Sequence, residues 1–248
     1  MTGPRWKPAV AVLGLALGCA CTPPAEPAPE AELVVLLHGL GRSERTMAPL
    51  AAYLEEHGFR TENIGYASTK WPIRELTETL HEELQRCCLD ADRRLDFVTH
   101  SLGGILVRAY VALYPPENLG RVVMLSPPNK GSELADAVRE TWLADINPVP
   151  AVDELGTNPD SVPNLLGPVS FELGVITGDE SWHPLGAIAM EGENDGVVSV
   201  ESARVEGMKA FLVTPTSHTF IMKEPDVAKQ VVHFLRTGEF LGNGRPIE

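Results

Sequence analysis

The residues best suited to chemistry lie in Thr99-His100-Ser101-Leu102-Gly103-Gly104. A short strand pattern, Leu95 to Thr99, runs into Ser101, and an apolar helical pattern starts at Leu102. A serine at a sharp strand-to-helix turn stands above the sheet edge, where its hydroxyl can attack a carbonyl carbon. Such a turn admits only small flanking residues. Gly103 meets that need, whereas Thr99 stands where the G-x-S-x-G pattern has glycine and adds crowding. The competing explanation is a serine that merely caps a helix. An alcohol is a weak nucleophile at neutral pH and needs a base. Of the seven histidines, His218 is preferred, because Thr214-Pro215-Thr216-Ser217-His218-Thr219-Phe220 falls between the last strand and the last helix. His183, in an irregular region, is the second choice. His233 reads as structural, His57 and His81 as solvated helix residues, and His100 as pointing elsewhere on the turn. An acid must then hold the imidazole in one tautomer. Asp195, in Gly192-Glu193-Asn194-Asp195-Gly196-Val197-Val198-Ser199, is favoured over Asp179 and Glu193, although Asp-Gly is also an ordinary turn pair.

These side chains are far apart in the chain, so a regular scaffold must bring them together. Leu33 to Leu37 is an uninterrupted aliphatic run, as suits a strand buried on both faces of a parallel sheet. Helical spacing follows from Ser43 to His57, a strand pattern from Phe59 to Tyr66, and a helix opened by Pro72 and running to about Cys88. Leu95 to Thr99, Leu102 to Tyr114 and Arg121 to Leu125 continue the alternation. Strand and helix in turn predict an α/β fold, a doubly wound and mostly parallel sheet with helices on both faces. Residues 126–169 hold seven prolines and read as an irregular cap over the sheet's carboxyl edge, with one helix from Ser132 to Leu143. Strand patterns return at Phe171 to Thr177, Val197 to Val200 and Ala210 to Val213, and a last helix at Pro225 to Leu235.

Leu36-Leu37-His38-Gly39-Leu40-Gly41 resembles the loop after an early strand in lipases, and Asp96-Phe97-Val98-Thr99-His100-Ser101 the strand entering their nucleophile elbow. Pro127-Pro128-Asn129-Lys130-Gly131-Ser132 also resembles a lipase loop. Over nearly all of Glu32 to Phe240, the chain resembles bacterial lipases and esterases of the α/β-hydrolase superfamily. The resemblance implies a chain order of serine, acid and histidine, matching Ser101, Asp195 and His218. It implies an oxyanion hole of two backbone amides, Leu40 and Leu102, and hydrolysis of carboxylic esters through an acyl-enzyme without cofactor or metal. The same site serves an acyltransferase equally well. A reading of another class is a lipid-anchored binding protein of the envelope that has lost activity. Leu134, Val138, Trp142 and Leu143 either line an acyl pocket or pack one helix against the core, and packing is preferred.

The formal net charge of −14 repels phosphate backbones, so nucleic acid is excluded as a partner. Arg5 and Lys7 precede an apolar run, Ala9 to Leu17, that is too short to span a bilayer. Small residues and Cys19 follow. Ala16-Leu17-Gly18-Cys19 resembles a bacterial lipobox, so residues 1–18 are expected to be a signal peptide and Cys19 a lipidated tether to the membrane of the cell envelope, facing the periplasm. Cys21 is a second candidate, and a secreted or soluble periplasmic protein is the alternative. Residues 19–31, rich in Pro, Ala and Glu, read as a tether, 32–240 as the hydrolase domain and 241–248 as a tail. A bond between neighbouring cysteines is strained, so Cys87 and Cys88 are expected to be small buried residues extending the stripe of Leu76, Leu80 and Leu84.

Overall fold

Leu33–Leu37 (β1) is buried along its whole length because its side chains alternate between two cores. Leu33, Val35 and Leu37 enter one cluster, and Val34 and Leu36 the other. In this computed structural model, which describes residues 32–88, 93–139, 148–181, 190 and 192–242, five more strands join it. They are Arg60–Ile64 (β2), Leu95–His100 (β3), Leu119–Leu125 (β4), Leu173–Gly178 (β5) and Ala210–Thr214 (β6). All pairings are parallel, in the order β2-β1-β3-β4-β5-β6. Helices Ile73–Cys87 (α2) and Leu102–Leu113 (α3) pack on the first cluster. Ala48–Glu56 (α1) and Pro225–Thr237 (α7) cover the second. The doubly wound sheet expected from the alternating pattern is the one observed.

Among the described residues between β4 and β5 lie three short helices, Glu133–Arg139 (α4), Pro150–Asp153 (α5) and Val162–Leu165 (α6). One buried cation ties this segment down. The Arg108 guanidinium, on α3, donates to the carbonyls of Asn129 (2.9 Å), Pro163 (3.0 Å) and Gly167 (2.6 Å). Burial lowers its pKa to about 10, so it stays charged at neutral pH, held by carbonyl dipoles.

Three expectations about elements and packing away from the Ser101 turn need correction. Val197 to Val200 is not a strand; it closes a tight loop through one antiparallel bridge, Asn194 to Ser199, because the Asp195 carboxylate captures its amides. Cys87 and Cys88 form a disulfide. The pair straddles the end of α2, where Cys88 has left helical geometry (φ −136°, ψ 2°), so the two side chains need not diverge as they would inside a helix. His81 is not solvated: its ring stacks on Tyr114 at 3.9 Å, and the His57 ring lies 4.1 Å from Tyr53. Cys19, the tether, Trp142, Leu143 and His183 lie outside the described residues. Among those described, no helix is long and apolar enough to cross a membrane.

Candidate active site

The sheet order reverses at β1, whose neighbours β2 and β3 follow it in opposite directions. Open α/β sheets bind ligands in the crevice beyond the strand ends at such a point. Leu37 pairs with Thr99 there, so the loop after β1 and the turn after β3 emerge side by side. Ser101 occupies that turn with φ +54°, a backbone region that non-glycine residues rarely adopt. Its N–H donates to the carbonyl of Leu125 at 2.9 Å, which anchors the turn to β4. The start of α3 presses directly on the end of β1. A Cβ at Gly103 would sit 2.8 Å from the Leu37 carbonyl oxygen and 3.0 Å from that of His38, so only glycine fits. Thr99 is fully buried.

His38 fixes the loop after β1. Its Nδ1–H donates to the Gly39 carbonyl (2.8 Å), and its Nε2 accepts the Tyr66 N–H (3.3 Å). The ring stacks on Tyr66 with centroids 4.2 Å apart, and the Tyr66 hydroxyl donates back to the His38 carbonyl. Both ring nitrogens are thereby assigned, and the imidazole is neutral. Burial lowers its pKa, which agrees with that assignment. The Gly41 N–H is taken up by the Ser68 hydroxyl at 3.0 Å. Leu40 lies between these two fixed points and shares a cavity wall with Ser101. Leu102 is the first residue of α3, where a backbone N–H has no intrahelical acceptor.

His218 and Asp195 meet across the loops after β6 and β5. The His218 Nδ1–H donates to Asp195 Oδ2 at 2.8 Å, and its backbone N–H to the Asp195 carbonyl at 3.0 Å. Asp195 Oδ1 accepts the N–H groups of Val197 (3.0 Å) and Val198 (2.8 Å). Burial alone pushes the carboxyl up. The electrostatic attraction of the His218 ring, its hydrogen bond, the nearby Ser126 hydroxyl and the Val198 N–H outweigh it and hold Asp195 below its ordinary value. The Ser126 hydroxyl lies close to that carboxylate but outside good hydrogen-bond geometry. Asp179 sits half-buried beyond β5, and Glu193 is exposed on the acid loop.

His100 was expected to point away from the chemistry, and it does not. Its Nε2–H donates to the His218 carbonyl at 2.9 Å, and the two rings lie 4.8 Å apart. Its Nδ1 faces Gly39 so closely that a Cβ there would sit 2.8 Å from it. One imidazole therefore touches the loop after β1, the turn carrying Ser101 and the loop carrying His218. The bond spans 118 residues, and no local pattern in the sequence signals it. Burial holds the His100 pKa well below its usual value.

His38 and His100 together make the fold acid-sensitive. Both are neutral in the folded protein but titrate near about 6.5 when unfolded. The unfolded chain then binds more protons below that pH, and stability falls as the pH drops through and below it. The loss is up to about 1.4 kcal/mol per pH unit for each histidine. Thermal unfolding between pH 8 and 5 is expected to show a falling midpoint, and a smaller fall in His100→Asn. Equal slopes in the two proteins would contradict the assignment.

Beside Ser101 lies an apolar cavity of about 130 Å³. Leu134 and Val138 line it, which corrects the expectation that they pack into the core. Larger hollows of about 450 Å³ beside His81 and Tyr114, and about 660 Å³ beside Glu201 and Arg204, contain none of the residues around the Ser101 turn.

The sequence profile of palmitoyl protein thioesterases matches residues 33–157, half of the chain. The chain belongs to the palmitoyl protein thioesterase family. Among solved structures, this thioesterase-family chain is similar to the lipase BlEst2 of Bacillus licheniformis in its mature form. The TM-score is 0.67 and the identity 23%, over 88% of this chain and 96% of that one. It is also similar to the phospholipase PlaB of Legionella pneumophila (0.66, 17%), over 84% of this chain and 60% of that one. A third similar structure is the metagenomic carboxyl esterase MGS0156 (0.59, 19%), over 84% and 71%. No curated protein matches the chain. These likenesses show the α/β-hydrolase fold, and family membership makes the chain a hydrolase.

Proposed function

We propose that this thioesterase-family member hydrolyses acyl esters with Ser101 as nucleophile, His218 as base and Asp195 as the acid that orients it. The observation that carries the reading is the buried Asp195–His218 hydrogen bond of 2.8 Å, in a loop docked through His100 onto the turn that strains Ser101. Asp195 keeps the proton on Nδ1, which leaves Nε2 free to accept one. His218 takes the Ser101 proton while Oγ bonds to the acyl carbon, and the carbonyl electron pair moves onto oxygen. The Leu40 and Leu102 amides hold that oxyanion, at a cost of several kcal/mol to the barrier if one is lost. Its collapse breaks the bond to the leaving group, which takes the proton from His218. Water then repeats both steps on the acyl-enzyme and frees the acid.

A second reading, favoured by the family match over residues 33–157, has a thiol as the leaving group. Paired oxyester and thioester substrates with the same acyl group separate the two. The shared mechanism is tested by fluorophosphonate labelling: the label is expected on Ser101 and lost in Ser101→Ala. Labelling elsewhere, or none together with no turnover, ends the proposal.

We also propose that Cys19 carries a lipid that holds the enzyme at the membrane of the cell envelope. Cys19→Ala is expected to move the protein from the membrane to the soluble fraction. Mass spectrometry of the mature N-terminus decides whether the cysteine is acylated.

A further inference from the structure

We infer that the cleft beside Ser101 selects a short, unsubstituted aliphatic acyl group and not the sixteen-carbon chain in the family's name. The inference rests on the serine-hydrolase reading above and adds the substrate class.

Size is the first argument. The cavity holds about 130 Å³. At about 30 Å³ for a group the size of a water or a methylene, it takes roughly four groups beyond the carbonyl. That corresponds to butyryl through hexanoyl.

Lining is the second. Its lining includes the buried Ala135, Leu155 and Val198 and the exposed Val138. No charged side chain lines it among the described residues. Ser132, the one hydroxyl besides Ser101 among the described lining residues, is already engaged: it donates to the Val197 carbonyl at 2.9 Å and accepts the Ala135 N–H at 3.3 Å. An acyl chain ending in a carboxylate or hydroxyl would be buried there without a partner, which is costly.

Rigidity is the third. The Val198 N–H is held by the Asp195 carboxylate, so this wall cannot retreat without disturbing the acid. At another lining residue, the Leu155 carbonyl accepts the Ser132 N–H at 2.8 Å. The chain is close-packed there as well, since a Cβ at Gly131 would lie 2.2 Å from the Gly156 carbonyl oxygen. Widening the cleft at Val198 therefore means moving the loop that carries Asp195.

The test is a series of p-nitrophenyl esters from acetyl to palmitoyl, in one detergent, on the full mature protein. kcat/KM is expected to rise roughly fourfold per methylene (about 0.8 kcal/mol) until the cavity is full. It should peak between butyryl and hexanoyl and fall at least tenfold by palmitoyl. The hemisuccinate ester, as long as butyrate but ending in a carboxylate, is expected to react at least a hundredfold more slowly than butyrate. Ala135→Leu should move the optimum down by two or three carbons, and Val152→Ala, at a half-buried wall position, should move it up by about two. An optimum at dodecanoyl or longer, or a hemisuccinate as good as butyrate, overturns the inference while leaving the serine mechanism standing. No turnover of any ester and no phosphonate labelling overturns both.

Discussion

Ser101→Ala is expected to lower kcat/KM on p-nitrophenyl butyrate by about 10⁵-fold, with the thermal midpoint changed by only a few degrees. The magnitude follows from the proposed role of the hydroxyl: under that mechanism no acyl-enzyme forms without it, and only oxyanion stabilisation and binding remain, which retain a small part of the rate over water. Stability should hardly change, because alanine is as strained as serine at φ +54° and the anchoring N–H to Leu125 is kept. A variant retaining more than a tenth of the activity would place the nucleophile elsewhere. One that unfolds would turn the role of Ser101 into a structural one.

Asp195→Asn is expected to cost about 10⁴-fold in kcat with little change in KM. Asparagine still offers an oxygen to the Val197 and Val198 amides, but its NH₂ would face His218 Nδ1. The imidazole then carries its proton on Nε2 and cannot receive one from serine. Asp179→Asn is expected to stay within about threefold of the parent, because the His218 ring bonds to Asp195. The reverse outcome would exchange the two acids. Asp195 also contributes stability of one sign. Its folded pKa is depressed, so the contribution is present above the unfolded value near about 3.9 and is lost only as the pH falls through the lower folded value. An acid limb in the activity profile near neutrality therefore does not belong to Asp195.

The sheet was legible because a doubly covered parallel strand leaves an unmistakable sequence trace. Leu33–Leu37 has no polar residue, and Leu95–His100 leads straight into the turn. Ser101 and His218 stood out as candidates for a related reason: strand ends in such a sheet form one edge, and each follows a strand, Leu95–His100 and Ala210–Thr214, whereas Asp195 comes well after β5 and was read from its turn sequence. Tertiary capture obscured the rest. Val197-Val198 has the composition of a strand, yet the Asp195 carboxylate folds it into a loop whose valines face the cleft. His38 and His100 owe their roles to Tyr66 and to the His218 carbonyl, partners 28 and 118 residues away. Leu134 and Val138 lie on a helix that lines the cleft beside Ser101, and periodicity cannot tell a cleft wall from a core.

The loop that walls the cleft at Val198 also carries Asp195, the proposed acid, and on that reading the coupling restricts how the protein can diversify. Mutational drift in acceptable substrate length should concentrate on the α4–α5 side, at Ala135, Val138 and Val152, where side chains change without moving the charge network. Directed evolution toward bulkier substrates would be confined to that one flank, since gains on the other would be offset by a misaligned imidazole.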